Sequence, residues 1–390
     1  MLAIGSIADH AGRRRVYLAA LGVFALASLV CGLAPSGGVL VAARVLQGAG
    51  GAGMMATTLA LISATYHGRR RGIAFGVWGG VNGAAAALAP VLGGLITEHL
   101  HWRAIFLVNL PISLAAVWLT LRAVKESRLP GGGRPDWAGM LAFTLAAGAL
   151  TYGLIEAGQY GWAAARSLVP LAVAVVAFAA FVVIETRGSH PMLDLRLFAD
   201  RSFSGVMAGA ALLNPAAFAC LAFTSIWLQQ DLGLGPVMAG VALSPMAATS
   251  LVVSLAAARL PRLTPRLAVG GGLLLIGAGA LLQGRLDQHS DWTALAPGLV
   301  AVGMGVGLAV PALSSAAMAY APKPRAGMAA GSVNTVRQLG YALGIAALGL
   351  LYRGDAATLN EVYLASAIIG LLGGLLVLAA VSRGGVRAGA

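Results

Sequence analysis

The sequence predicts an all-α membrane protein with twelve complete spanning helices and part of another at its N-terminus. Three observations carry that prediction. Of the 390 residues, 59% are hydrophobic and only 10% charged, with a mean hydropathy of +0.85; a soluble domain carries about 25% charged residues to cover its surface. Apolar runs of about 20 residues, the length that crosses a bilayer, recur along the whole chain. No run alternates with period two over ten residues, as a membrane barrel requires. A soluble enzyme is excluded.

Met1 to Ala8 is apolar but only eight residues long, about 12 Å of helix against a hydrocarbon core of about 30 Å. It lacks the charged start and cleavage site of a signal peptide, and reads as the inner end of a helix whose beginning is missing. The first complete run, 17–34, starts after Arg13, Arg14 and Arg15, and the second, 39–66, returns to Arg69, Arg70 and Arg71. Run 72–97 leads out to Arg103, and run 102–124 leads back to Arg122, Lys125, Arg128 and Arg134. Runs 137–160 and 167–185 flank Arg166 and end at Arg187, Arg196 and Arg201. Run 203–228 goes out and 237–258 returns to Arg259, Arg262 and Arg266. Runs 267–284 and 292–321 flank Arg285 and end at Lys323 and Arg325. Runs 327–352 and 362–382 flank Arg353 and end at Arg383 and Arg387.

Twenty basic residues thus fall in alternate gaps counted from the first and four in the others, with Arg44 and Arg337 inside runs. Basic loops stay cytoplasmic. The net charge of +13 and pI near 10.8 therefore express topology in the cell (plasma or inner) membrane, and nucleic acid is not a partner. Cys31 and Cys220 lie inside apolar runs and read as small buried residues. His10, His67, His99, His101, His190 and His289 fall in or beside polar gaps with no metal-ligand spacing. Neither a metal nor a cofactor is expected.

Four stretches carry a family resemblance. Gly5-Ser-Ile-Ala-Asp9-His-Ala-Gly12-Arg13-Arg14-Arg15 resembles the signature loop of the major facilitator superfamily, with His10 where the family usually has arginine. Leu40-Val-Ala-Ala-Arg44-Val-Leu-Gln47-Gly48-Ala-Gly50-Gly51-Ala52 is similar to that family's fourth-helix pattern. Ala89-Pro90-Val-Leu-Gly93-Gly94 resembles the antiporter motif of the fifth helix, with Ala89 in place of its first glycine. His101-Trp102-Arg103-Ala-Ile-Phe106-Leu-Val-Asn109-Leu-Pro111 is similar to the start of the sixth. The subfamily resembled most is the drug:proton antiporters with fourteen spans, in which two extra helices separate two six-helix halves. Pro191 to Phe198 resembles the start of its second half, and Asn334-Thr-Val-Arg337-Gln338-Leu-Gly340 its penultimate helix. The resemblance implies a two-bundle fold: an N-terminal half at 1–126 lacking its first helix and most of its second, two inserted helices at 127–190, and a C-terminal half at 191–390.

The resemblance also assigns roles. Gly5, Asp9, Gly12, Arg13 and Arg14 form a gating loop, in which the Asp9 carboxylate faces a helix start near Gly327, where free N–H groups favour an anion. The alternative is an interfacial salt bridge from Asp9 to Arg13 or Arg14. Arg44, with Gln47 and Gly48, is implied in proton coupling: a charge inside a span costs about 2.5–3.5 kcal/mol even on the mildest scale, so Arg44 should face a cavity. The alternative is a side chain snorkelling to water. Arg337 and Gln338 are the matching pair of the second half, as cavity lining or as a structural pair. Pro90, Gly93 and Gly94 permit a bend and close helix approach, a feature that marks exporters in the family. Asn214, Phe218, Trp227 and Asn334 are candidates to line a substrate path. Glu156 is the one acid that reaches toward a span interior and is expected to be structural.

These readings converge on a monomeric secondary antiporter that exports small hydrophobic or cationic compounds, with protons and membrane lipid as its other partners. An ATP-driven pump in cis is excluded, because a P-loop needs Gly-Lys-Ser/Thr and the only lysines are Lys125 and Lys323. A membrane-embedded enzyme would need acids and histidines converging at one depth, and they are scattered over both faces. The rival readings are a truncated, transport-inactive fragment or scaffold and, behind it, a nutrient importer.

Overall fold

The structure is a computed structural model that describes residues 4, 7–8, 11–66, 68–127, 136–188, 195–257, 264–287, 289–320 and 326–382. Its elements are helices. They are α1 (Arg13–Leu33), α2 (Gly37–Thr65), α3 (Gly68–His99), α4 (Ala104–Leu107), α5 (Asn109–Ala123), α6 (Trp137–Tyr160) and α7 (Ala165–Arg187). They continue as α8 (Arg201–Asn214), α9 (Cys220–Gln230), α10 (Pro236–Ala257), α11 (Pro265–Gln283), α12 (Ala296–Tyr320), α13 (Ala326–Leu348) and α14 (Ala356–Ala380). A bilayer offers the backbone no hydrogen bonds, so a spanning segment must satisfy its own. Among the described residues, ten stretches have the length and hydropathy to cross a membrane. With α3 and α13, of 32 and 23 residues, the helices of spanning length match the twelve expected runs.

Polar side chains set several starts. Ser36 accepts from Val39 N, Asp200 from Ser202 N and Phe203 N, and Thr264 from Leu267 N, each satisfying donors that a first turn leaves free. Prolines explain two interruptions. The run read as 102–124 is divided at Val108, because Pro111 has no N–H for the Leu107 carbonyl four residues back. The run read as 203–228 contains a π-helical turn at Pro215–Ala219, where Pro215 likewise cannot donate to Ala211.

By contact the chain divides into two units, Met1–Gly79 with Leu92–Asp136, and Gly80–Val91 with Trp137–Ala390. In the first, α1 packs along α2, and α4 and α5 pack against α1. At Gly50 a Cβ would fall 2.7 Å from the backbone nitrogen of Phe24, so the fourth-helix motif places glycine where two backbones touch. In the second, α11 packs against α12 and α14, α10 against α12, and α8 against α13 and α14. Phe203, Leu213, Leu273, Leu299 and Tyr363 are fully buried there. Tyr363 and Thr224 share a 2.7 Å hydrogen bond between α14 and α9. Helices α6 and α7 pack on each other, with Phe143 and Phe181 5.2 Å apart, and α6 also meets α13.

Candidate functional site

Gly12 precedes α1 with φ +109° and offers no side-chain cap. The helix start is capped from elsewhere. Glu126, three residues beyond α5, receives the Arg14 N–H on Oε1 at 3.1 Å and the Arg15 N–H on Oε2 at 3.2 Å. The Arg13 N–H donates to the Ser127 carbonyl at 3.0 Å. A carboxylate thus occupies the positive end of a helix, where the dipole and unpaired N–H groups favour an anion. The arginine side chains tie the same corner to neighbouring helices: Arg14 donates to the Leu121 carbonyl at 2.9 Å and Arg13 to that of Ala60 at 3.4 Å. Gly5 and Asp9 lie outside the described residues, so the latch expected of Asp9, and its alternative pairing with Arg13 or Arg14, lie outside them too. Sequence reasoning missed Glu126. The available signal was an acid following a span end on the same side as the arginine run.

Arg44 is the eighth residue of α2, about 10 Å from its start. Its guanidinium donates to Gln47 Oε1 at 2.6 Å, Gln47 Nε2 donates to Ser28 Oγ at 2.7 Å, and Ser28 Oγ donates to the Phe24 carbonyl at 2.7 Å. Gln47 and Ser28 are buried, whereas Arg44 is exposed and lies 5.7 Å from the centre of the Phe106 ring. The structure therefore brings Arg44 and Gln47 together and adds Ser28, which the sequence did not single out. A Cβ at Gly48 would meet nothing within 4 Å among the described residues.

Arg103 anchors the start of the fourth motif. It donates to the Ala34 carbonyl at 2.9 Å and lies 4.5 Å from the centre of the Trp102 ring. In the antiporter motif, α3 runs on through Pro90. Ala89 is exposed, Gly94 is buried, and a Cβ at Gly93 would meet nothing within 4 Å.

In the second unit, Asn214 is 5% exposed and its Oδ1 has no hydrogen-bond partner among the described residues. Arg337 Nε is buried and likewise unpaired, and Gln338 is exposed. Gly340 meets Ala211 and Gly344 meets Pro215, so α13 and α8 run in the same direction. In that register Asn214 is level with residue 343, six residues or about 9 Å along the axis from Arg337. The structure does not bring the two together. Trp227 is buried in the core, Phe218 packs partly against it, and Asn334 is half-buried. Of the two acids on α6 and α7 near or inside the expected runs, Glu185 is buried at 4% exposure in the last turn of α7, and Glu156 is half-buried.

A family model described as Major Facilitator Superfamily matches residues 1–345 and 207–385. The chain is 36% identical over 351 residues to the multidrug resistance protein Stp of Mycobacterium tuberculosis, covering 90% of this chain and 65% of that protein's length. It is 33% identical over 384 residues to a methylenomycin A resistance protein of Streptomyces coelicolor, covering 96% and 80%. Against a puromycin resistance protein of Streptomyces alboniger it is 36% identical over 361 residues, covering 90% and 71%. Its fold matches the human organic anion transporter MFSD10 with TM-score 0.67 at 20% identity, covering 96% and 79% of the chains. A peptide transporter POT bound to sulfate matches with TM-score 0.68 at 15% identity, covering 97% and 83%. The chain spans 65% of the length of Stp and is a multi-pass membrane protein, and it belongs to the Major Facilitator Superfamily.

Proposed function

We propose that the chain acts in a secondary transporter of the cell membrane that exports small hydrophobic or cationic compounds by proton antiport and alternating access. The finer assignment is to the fourteen-span drug:proton antiporters, with α6 and α7 as the inserted pair between halves at 1–126 and 191–390. The Arg44–Gln47–Ser28 chain is the observation that carries this reading. An arginine inside a span is costly, and here two buried polar residues fix one edge of its guanidinium while the side chain stays exposed. Such a group can hold a titrating carboxylate by charge, which is what proton coupling requires. The names of the relatives, resistance proteins to methylenomycin, puromycin and multiple drugs, support export as the direction and drug-like compounds as the cargo. The Glu126 cap supports a gating role for the Gly12–Arg15 loop, because contacts at a helix end can be made and broken without unfolding a span.

The test is ethidium efflux from energised cells expressing the wild-type chain, Arg44→Ala or Asp9→Asn. Wild-type cells should clear the dye, Arg44→Ala should reduce the initial rate at least tenfold, and a proton uncoupler should abolish the wild-type rate. Equal dye retention in all three strains and in empty cells would reject transport by this chain.

A further inference from the structure

A cavity of about 430 Å³ lies between the end of α2 and the first part of α3, its described lining residues all in the first unit and apart from the residues assigned to export. Ile62 and Tyr66 line one side, and Arg70, Ala74, Val77 and Trp78 the other. The last four are spaced to share one stripe of a helix. The groove is graded along that stripe. Arg70 is the third residue of α3 and Trp78 the eleventh, about 12 Å deeper, so a cation stands at the shallow end and, among the described lining residues, those below it are apolar or aromatic. Tyr66 and Val77 are 43% and 61% exposed, so the groove opens outward.

An occupant must match that grading: an anionic group beside Arg70, with hydrocarbon running inward. A cationic compound of the class proposed as cargo meets like charge there. Helix α2 ends at Thr65 and α3 begins at Gly68, beside Arg69–Arg71, one of the gaps where the basic residues gather, which is the depth of phospholipid headgroups on the cytoplasmic side. Basic pockets between spanning helices at that depth take acidic headgroups, and tyrosine, here Tyr66, favours the same interface. We propose that this groove binds an anionic phospholipid of the cytoplasmic leaflet, with its phosphate on Arg70 and an acyl chain along Ala74, Val77 and Trp78.

Brominated lipids test this, since bromine quenches a nearby indole. The full chain is reconstituted in phosphatidylcholine vesicles carrying increasing fractions of brominated phosphatidylglycerol or brominated phosphatidylcholine. The difference between wild type and Trp78→Phe isolates the emission of Trp78. Phosphatidylglycerol should quench Trp78 at an about fivefold lower mole fraction than phosphatidylcholine, the effect of one basic side chain at a membrane surface. Arg70→Gln should bring the two lipids together, and Arg70→Lys should restore most of the preference. Equal quenching by both lipids in the wild type would assign the groove to any hydrocarbon and overturn the proposal. So would a preference that survives in Arg70→Gln, or protection of Trp78 by added ethidium without any lipid preference. The readout needs no transport, so its failure and the failure of the export reading are separate results.

Discussion

A methyl group at position 12 would sit 2.7 Å from the carboxyl carbon of Glu126, on a backbone held at φ +109°. Both facts disfavour any side chain there, and they have different remedies. Gly12→Ala should destabilise the first unit by about 1–3 kcal/mol, the cost of forcing an L residue into that region, plus whatever displacement of Glu126 adds. Glu126→Gln keeps the acceptor but removes the charge from the helix end, a loss of about 1 kcal/mol. In Glu126→Ala the crowding vanishes while the backbone strain stays. The double variant Gly12→Ala with Glu126→Ala should therefore cost less than the sum of its parts. Thermal unfolding of the detergent-purified chain, followed by tryptophan fluorescence, measures all four states; strict additivity would show that Gly12 and Glu126 do not share a contact. The glycine itself was legible in the signature loop. Its partner was not, because Glu126 lies 112 residues from Arg14 and nothing local marks which acid returns to a given helix start. The same holds for Ser28, an ordinary residue inside an apolar run until the fold sets it against Gln47.

Helix α8 meets α13 where Pro215 withholds its hydrogen bond from the Ala211 carbonyl and Gly340 presents no side chain. A Cβ at Gly340 would overlap that carbonyl oxygen. Gly340→Val should cost about 1–3 kcal/mol through overpacking, read as a lower melting midpoint and a smaller monodisperse fraction. Gly271→Ala is the control, because a Cβ there meets nothing within 4 Å and alanine is the better helix former by about 0.5–1 kcal/mol. Equal loss in both variants would show that Gly340 is not a contact residue. The start of α14 gives a pH prediction. Asp355 accepts from Thr358 N and Thr358 Oγ1, both at 2.7 Å, and these bonds, the backbone one first, hold its carboxyl below the usual range. A lowered native value means the cap stabilises fully above the ordinary carboxylate range and is lost as pH falls through that lowered value. Asp355→Ala should therefore melt earlier than wild type at pH 7, with the gap narrowing as pH falls through the lowered value; a gap that stays constant all through acidification would exclude the charge as its cause. Run lengths made the helices legible, since hydropathy alone decides what a bilayer accepts. Their interruptions at Val108 and Pro215 were not, because an apolar run looks the same whether its backbone ladder is whole or broken. The last run was placed six residues late for a related reason: Asn360 and Glu361 look like loop, yet Asp355 starts the helix before them.

Across the whole chain, one asymmetry governs how every local feature is used: twenty basic residues in one set of gaps and four in the other. Each misplaced cation would add to the cost of the inverted topology, and Lys125→Cys still leaves nineteen basic residues against four, so orientation can be read with single cysteines. Cys31 and Cys220 are 0% and 3% exposed, which leaves the native thiols shielded from an aqueous reagent. Lys125 and His289 are both exposed and lie in gaps of opposite assignment. In intact cells a membrane-impermeant maleimide should label His289→Cys and spare Lys125→Cys, and permeabilised cells should label both. The reverse pattern would place the arginine run of the signature loop, with its Glu126 cap, on the outer face. It would also put Arg70 in the outer leaflet, where the argument for an acidic headgroup fails. Labelling of both sites in intact cells would mean mixed insertion, in which the two faces of the chain are not assigned to fixed compartments. The predicted pattern instead fixes the Gly12–Arg15 corner and the Tyr66–Trp78 groove on the cytoplasmic side, so that gating and lipid contact act from the compartment where an exporter takes up its cargo.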